Sequence, residues 1–393
     1  MHEKTKAGLY LSAFGIYWME VSLTMGMAVP YLSSLGFSNT AMGTILSAAN
    51  VLSVLISLTL ASISDRTGSR GMAALLSSGL LSALAALAVL LAAPFYKFIF
   101  SAAYVLLTAS VLAIGPLYTK LYFDLVRDGP LPPFGLFRAI GSLCFALMSF
   151  AVGAALRHIS IGAVLVANAA CALLQLSLVL SLRPMLQVSS APSAGGDRRV
   201  SGQDYMSLLR KDGSFVLLLC GLFLVFMVHN NISSFKANIL ESLGADVSAV
   251  AFLNGVAVLS EIPVMFLYSQ VRHSSSERML AVSFAFFLVK MILIAAASSV
   301  PMLFAAFALQ SFSFGLYSPA IVDYISERFP YEQAGKAQGL VGNVPIAASV
   351  VGSLLVGSML DRLPLGSALG ALCLVTAAGV AAASAALRIR KKQ

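Results

Sequence analysis

The sequence predicts an all-α membrane protein, with twelve transmembrane helices grouped as two six-helix bundles. Three observations predict it: too little charge for a water-soluble surface, a dozen continuous apolar runs, and one long polar segment dividing them six and six. Of 393 residues, 59% are hydrophobic and 10% charged, with a mean hydropathy of +0.90. A soluble domain is about 45–50% apolar and about 25% charged. A soluble enzyme, a disordered chain and a secreted disulfide scaffold are therefore set aside. Cys144, Cys171, Cys220 and Cys373 each sit in an apolar run without CxxC spacing or a histidine cluster. They read as free thiols, and no metal or other cofactor is expected. The formal charge of +9 falls in short loops between apolar runs. That pattern orients a membrane protein and gives no phosphate-binding face, so no nucleic-acid partner is expected.

A hydrocarbon core of about 30 Å takes roughly 20 helical residues per crossing. The apolar runs do not alternate as barrel strands would. Spans are expected at 7–30, 40–64, 70–93, 97–125, 134–156, 159–182, 213–237, 246–269, 278–298, 301–326, 334–359 and 366–387. The first is too long for a signal-peptide core and has no small-residue cleavage site, so it reads as a retained span. Residues 183–212 form a linker, rich in Ser, Pro and Gly over 189–196 and then charged at Asp197, Arg198 and Arg199. The expected domains are 1–182, the linker 183–212, and 213–393. With the N-terminus in the cytoplasm, only Lys97, Arg157 and Arg362 of the 25 lysines and arginines fall in outside loops. The excess of inside charge places both termini and the linker in the cytoplasm, with the chain in the cytoplasmic (inner) membrane.

The loop after the second span reads Ser64-Asp65-Arg66-Thr67-Gly68-Ser69-Arg70-Gly71. Its plainer reading is turn chemistry with positive-inside anchoring. Its position in a twelve-span chain makes it resemble the signature loop of the major facilitator superfamily, Gly-x-x-x-Asp-Arg-x-Gly-Arg-Arg. Ala61 stands for the leading Gly and Ser69 for one basic residue. The resemblance implies the major facilitator fold, two bundles of inverted three-helix repeats around a cavity, with substrate near the midplane. It also implies a cytoplasmic gate at Asp65, Arg66, Gly68 and Arg70 that latches the halves. The corresponding second-half loop, Gln270-Val271-Arg272-His273-Ser274, lacks the Asp.

The fifth span, with Phe137-Arg138-Ala139-Ile140-Gly141-Ser142-Leu143-Cys144-Phe145-Ala146 and later Gly153, is similar to the lactose-permease-like branch, which includes nucleoside and phenylpropionate permeases. Ser260-Glu261-Ile262-Pro263, Lys290 and Gln310-Ser311-Phe312-Ser313-Phe314-Gly315 fit the same branch. Lys290 replaces an Arg of lactose permease, while Gln310 and Ser313 replace its His and acid. Residues 134–156 lack the Gly-Pro run that drug antiporters carry, which favours uptake.

Ionisable groups at bilayer depth are functional candidates, usually paired or facing a cavity. Counting from the cytoplasmic ends, Glu20, His229, Glu261 and Lys290 lie about 13–24 Å deep. Lys120, Asp124 and Arg138 lie only about 3–9 Å in, and Asp323 is similarly shallow. Glu261 and Lys290 read either as a fixed ion pair or as a proton-exchanging one, loading as the site alternates between wet and dry. Glu20 is a second proton candidate, or a protonated carboxyl bonded to a neighbouring helix. His229 with Asn230 and Asn231 either binds substrate or breaks the seventh span. Asp124 and Arg138 read as a cytoplasmic gate pair, with Asp323 beside them in that tier. By family analogy Arg138 instead matches a substrate-binding Arg, joined by Lys120. Tyr17, Trp18, Tyr118, Tyr122, Phe314 and Tyr317 offer rings for stacking. Asn50, Gln310, Gln338 and Asn343 either line the cavity or link helices. The substrate set is thus Arg138, Lys120, Tyr17, Trp18, His229, Asn231, Gln310 and Asn343; the coupling set is Glu261, Lys290 and Glu20.

The expected function is secondary active transport of a small polar organic solute, of the sugar, nucleoside or aromatic acid class, by proton symport with alternating access. The expected partners are that solute, the proton and the lipid bilayer, with the chain acting as a monomer. No GxxxxGK[ST] loop is present, so ATP does not drive it. Without HExxH or GxSxG chemistry an enzyme is not expected. A proton-coupled exporter and a non-transporting membrane sensor are the alternatives.

Overall fold

The computed structural model describes residues 2–93, 96–126, 131–186, 208–210, 212–271 and 275–390. The linker run 189–199, the turn 127–130, residues 272–274 of the second-half loop, and Lys391 and Lys392 lie outside the described residues. Among the described residues every regular element is helical: α1 His2–Thr24, α2 Ala28–Ser34, α3 Asn39–Ala92, α4 Lys97–Leu125, α5 Phe134–Ala155, α6 Ala163–Leu182, α7 Gly213–Ser242, α8 Val247–Val271, α9 Ser276–Ala295, α10 Val300–Ala308, α11 Phe314–Arg328, α12 Tyr331–Arg362 and α13 Leu365–Arg390. Among the described residues ten stretches are long and apolar enough to cross a membrane, one of them running through α10 and α11. Counting the two rods of α3 separately gives eleven, and α1, a 23-residue helix outside those stretches, brings the long helices to the twelve expected.

Besides shifted helix ends, three breaks in the chain differ from the sequence reading. The expected first span ends early, and a turn at Met25–Met27 separates α1 from α2. Pro30, which has no N–H to donate, then sits in the first turn of α2, where none is needed. The expected loop between spans two and three is a single-residue break. Helical geometry runs through 64–71 except at Gly68, whose φ of 62° and ψ of −172° suit a residue without Cβ. The expected tenth span is divided into α10, a 3₁₀ turn over Leu309–Ser311, and α11. Here Ser311 Oγ and Ser313 Oγ bond back to the carbonyls of Ala308 and Leu309, at 2.9 and 3.1 Å, which weakens and bends a helix. The Ser313 carbonyl is taken up by Ser283 Oγ of α9 at 2.8 Å.

The chain divides into two compact units. Unit 1 holds residues 1–37, 44–196 and 247–255, and in it α1 packs against α4, α5 and α6. Unit 2 holds residues 38–43, 197–246 and 256–393, with α7 against α12 and α13, and α9 against α10, α11 and α13. Its core runs through Phe215, Leu222, Phe226, Phe284, Tyr324 and Leu387. Large apolar side chains remain exposed on the outer faces, among them Leu58, Phe98, Val166 and Leu374, as lipid contact requires.

Candidate functional site

In unit 1, a cleft of about 630 Å³ is lined by Tyr17 and Trp18 of α1, Lys120 of α4 and Arg138 of α5, together with Phe14, Thr119 and Phe123. That volume is within the usual range for a small organic ligand, about 300–1,000 Å³. Two glycines seat the rings. A Cβ on Gly115 would strike the Tyr17 hydroxyl, and one on Gly141 would come within 2.6 Å of Trp18 Nε1. The Arg138 guanidinium lies 4.7 Å from the Trp18 ring, a cation–π contact. Tyr17 also stacks towards Tyr118, with ring centres 5.2 Å apart. Four residues of the expected substrate set are thus brought to one wall.

The signature loop reaches the same wall from below. Lys120 forms an ion pair with Asp65 and donates to Ser64 Oγ at 2.8 Å. Ser69, which stands where the family pattern has a basic residue, donates to Asp124 Oδ2 at 3.0 Å. Asp65 and Ser69 therefore tie the break at Gly68 to the C-terminal end of α4, while Arg66 and Arg70 are exposed.

Glu20, one turn further along α1 from Tyr17, is fully buried. Neither of its carboxylate oxygens has a hydrogen-bond partner among the described residues.

In unit 2, the break between α10 and α11 delivers Gln310 between two buried charges. Lys290 Nζ of α9 donates to Gln310 Oε1 at 2.6 Å, and Gln310 Nε2 donates to Glu261 Oε1 of α8 at 2.6 Å. The sequence reading expected Glu261 and Lys290 to meet directly; an amide stands between them and serves each in the correct sense, acceptor to the ammonium and donor to the carboxylate. All three are at most 9% exposed. Lys290 Nζ also lies 4.7 Å from the Phe307 ring centre.

His229 packs among aromatics, stacked at 5.8 Å on Phe314 and edge-on at 5.0 Å to Phe287. It borders a void of about 20 Å³ together with Lys290. Asn231 links helices, donating to the Met227 carbonyl at 2.7 Å and accepting from Ser353 Oγ at 2.8 Å. Asn343 is exposed on α12. Asp323 accepts from the Tyr268 hydroxyl at 3.0 Å. Sequence reasoning passed over Lys236, a buried lysine of α7 whose ammonium bonds to the Ser233 carbonyl of its own helix. A lysine inside an apolar run was the available signal. Thr108, Asn168 and Gln175 were also missed, for want of charge.

The MFS_1 like family matches residues 14–366. The chain belongs to that family. As a member of the major facilitator superfamily it is a transporter rather than an enzyme. Solved structures with the same fold include the nucleoside transporter NupG, at 14% identity and a TM-score of 0.77, with 100% of each chain covered. A POT family transporter in complex with a thioalcohol conjugated peptide matches at 14% identity and 0.76, covering 98% of this chain and 96% of that one. Another, in complex with 5-aminolevulinic acid, matches at 14% and 0.72, covering 95% and 94%. At these identities the likeness concerns the fold. No curated protein sequence matches this transporter significantly.

Proposed function

We propose that this transporter takes up a small polar organic solute across the cytoplasmic membrane by proton symport, with both termini in the cytoplasm. The observation that carries the reading is the buried Lys290–Gln310–Glu261 chain, built at a helix break where backbone geometry can change. A carboxylate held through a neutral amide can take up and release a proton; while it is protonated the site carries one net positive charge, on the Lys290 ammonium, which keeps its bond to Gln310 Oε1. The unit 1 cleft supports the substrate half of the reading: rings from Tyr17 and Trp18 for a planar face, cations from Lys120 and Arg138 for polar substituents. In this reading the Asp65–Lys120 and Ser69–Asp124 bonds, both inside unit 1, hold the loop that acts as the cytoplasmic gate.

Reconstituted vesicles test it. With a panel of sugars, nucleosides and aromatic acids, a pH gradient should drive accumulation of at least one class by the wild-type chain. Glu261→Gln should abolish that accumulation and spare exchange of preloaded substrate. Normal gradient-driven accumulation by Glu261→Gln removes the proton path from this site.

A further inference from the structure

Six buried side-chain atoms among the described residues lack a hydrogen-bond partner, and all six belong to unit 1. Five are oxygens: both of Glu20, Thr108 Oγ1, Asn168 Oδ1 and Gln175 Oε1. All four residues are at most 1% exposed. Native interiors satisfy such atoms with protein, ordered water or an ion, so several of them close together call for one of these.

Hydrogen bonds between helices give their relative levels. The Tyr10 hydroxyl of α1 donates to the Tyr118 carbonyl of α4 at 2.6 Å, and the Tyr104 hydroxyl of α4 donates to the Thr24 carbonyl of α1 at 3.0 Å. The antiparallel register that pairs 10 with 118 and 24 with 104 also sets Glu20 level with Thr108. On α6, Asn168 Nδ2 donates to Thr24 Oγ1 at 2.7 Å, and Gln175 Nε2 donates to the Tyr118 hydroxyl at 2.7 Å. Glu20 is one turn from Thr24, about 6 Å along the axis, so its level falls between those of Asn168 and Gln175, whose backbones are about 10 Å apart along α6 and whose side chains converge on it from either end. Both amide nitrogens are already bonded. Each amide therefore has only its oxygen left to offer.

We propose that Glu20, Thr108, Asn168 and Gln175 form a site for a dehydrated monovalent cation, sodium, inside unit 1. One carboxylate balances one positive charge, and three neutral oxygens complete a hard donor set without adding charge. A divalent ion would ask for more carboxylates than this pocket has. A proton on Glu20 would supply one donor and leave the other oxygens unmet. The neighbours within electrostatic reach of Glu20, namely Tyr17, Tyr118 and Cys171, bring hydroxyls and a thiol. The site is separate from the unit 2 relay and does not rest on the proton reading; it replaces the expectation that Glu20 itself carries the proton.

The test uses the purified full-length chain in detergent: ²²Na⁺ binding, and thermal unfolding in sodium chloride against choline chloride and potassium chloride at equal ionic strength. The wild-type chain should bind one sodium and unfold at a higher temperature in sodium only. Glu20→Gln, which keeps the shape and removes the charge, should lose both effects, and Thr108→Ala and Asn168→Leu should weaken binding several-fold. Equal midpoints in sodium and choline overturn the site, as do midpoints that follow pH alone. Sodium binding retained by folded Glu20→Gln overturns it too. Should Glu20→Gln fail to fold, unchanged sodium affinity in both Thr108→Ala and Asn168→Leu is the overturning result. These measurements need no transport, so a failure of the proton reading in vesicles leaves them standing.

Discussion

Gln310 bridges two buried charges at once. Lys290 and Glu261 each spend a 2.6 Å bond on its amide. Replacing it by leucine keeps roughly the volume and removes one hydrogen bond from each of the two charged groups. Each buried bond so lost costs about 1–3 kcal/mol, more where a charged group loses it. Gln310→Leu should therefore unfold at clearly lower temperature than the wild type in detergent and lose gradient-driven accumulation. Equal stability would mean that the two charges find each other directly. The outer members of this chain were legible in the sequence, because a Glu or Lys in an apolar run is conspicuous at once. Gln310 was noted only as a replacement for a family histidine, and its bridging role depends on a helix break that composition does not reveal. Uncharged polar residues are tolerated as ordinary helix links. That is why Thr108, Asn168 and Gln175 stayed silent, while Lys236 carried a signal that was not followed.

Hydropathy locates the middle of each helix well and its ends poorly, because backbone hydrogen bonding continues past the apolar run. Thus α7 extends to Ser242, past the expected end at 237, and α12 begins at Tyr331. The breaks follow different rules again. At α10–α11 two serines turn their hydroxyls onto the backbone, and at α3 the whole reversal is concentrated in Gly68. A non-glycine residue held at that φ and ψ costs about 1–3 kcal/mol. Gly68→Ala should lower the unfolding midpoint accordingly. It should also shift the flanking Asp65–Lys120 and Ser69–Asp124 bonds, slowing transport with little change in substrate affinity. Wild-type stability and rate in Gly68→Ala would show that the break can relax without its glycine.

At the scale of the molecule, 16 acidic residues serve 393, and the outer faces are apolar. Any acid sensitivity of folding therefore falls on a few carboxylates with strong native partners. Asp212, just before α7, is such a group. It caps the helix by accepting from the Phe215 amide at 3.0 Å, accepts from Ser214 Oγ at 2.8 Å, and takes a two-point contact from Arg328 at the end of α11, at 2.6 and 3.0 Å. Partial burial pushes its carboxyl up, but the bonds from Arg328, Phe215 and Ser214 outweigh burial and hold it below the ordinary carboxylate value. A carboxyl lower in the folded than in the unfolded chain stabilises the fold fully above the unfolded value, and that contribution is lost as pH falls through the folded one. The wild-type midpoint should thus be flat near neutrality and drop as pH falls from the ordinary carboxylate value, about 4, towards the lowered one. Asp212→Asn can still cap the helix but cannot hold Arg328 as an anion does. Its midpoint should be lower at neutral pH, with a shallower acid limb, so that the two curves converge in acid; parallel curves would move the acid sensitivity to another carboxylate.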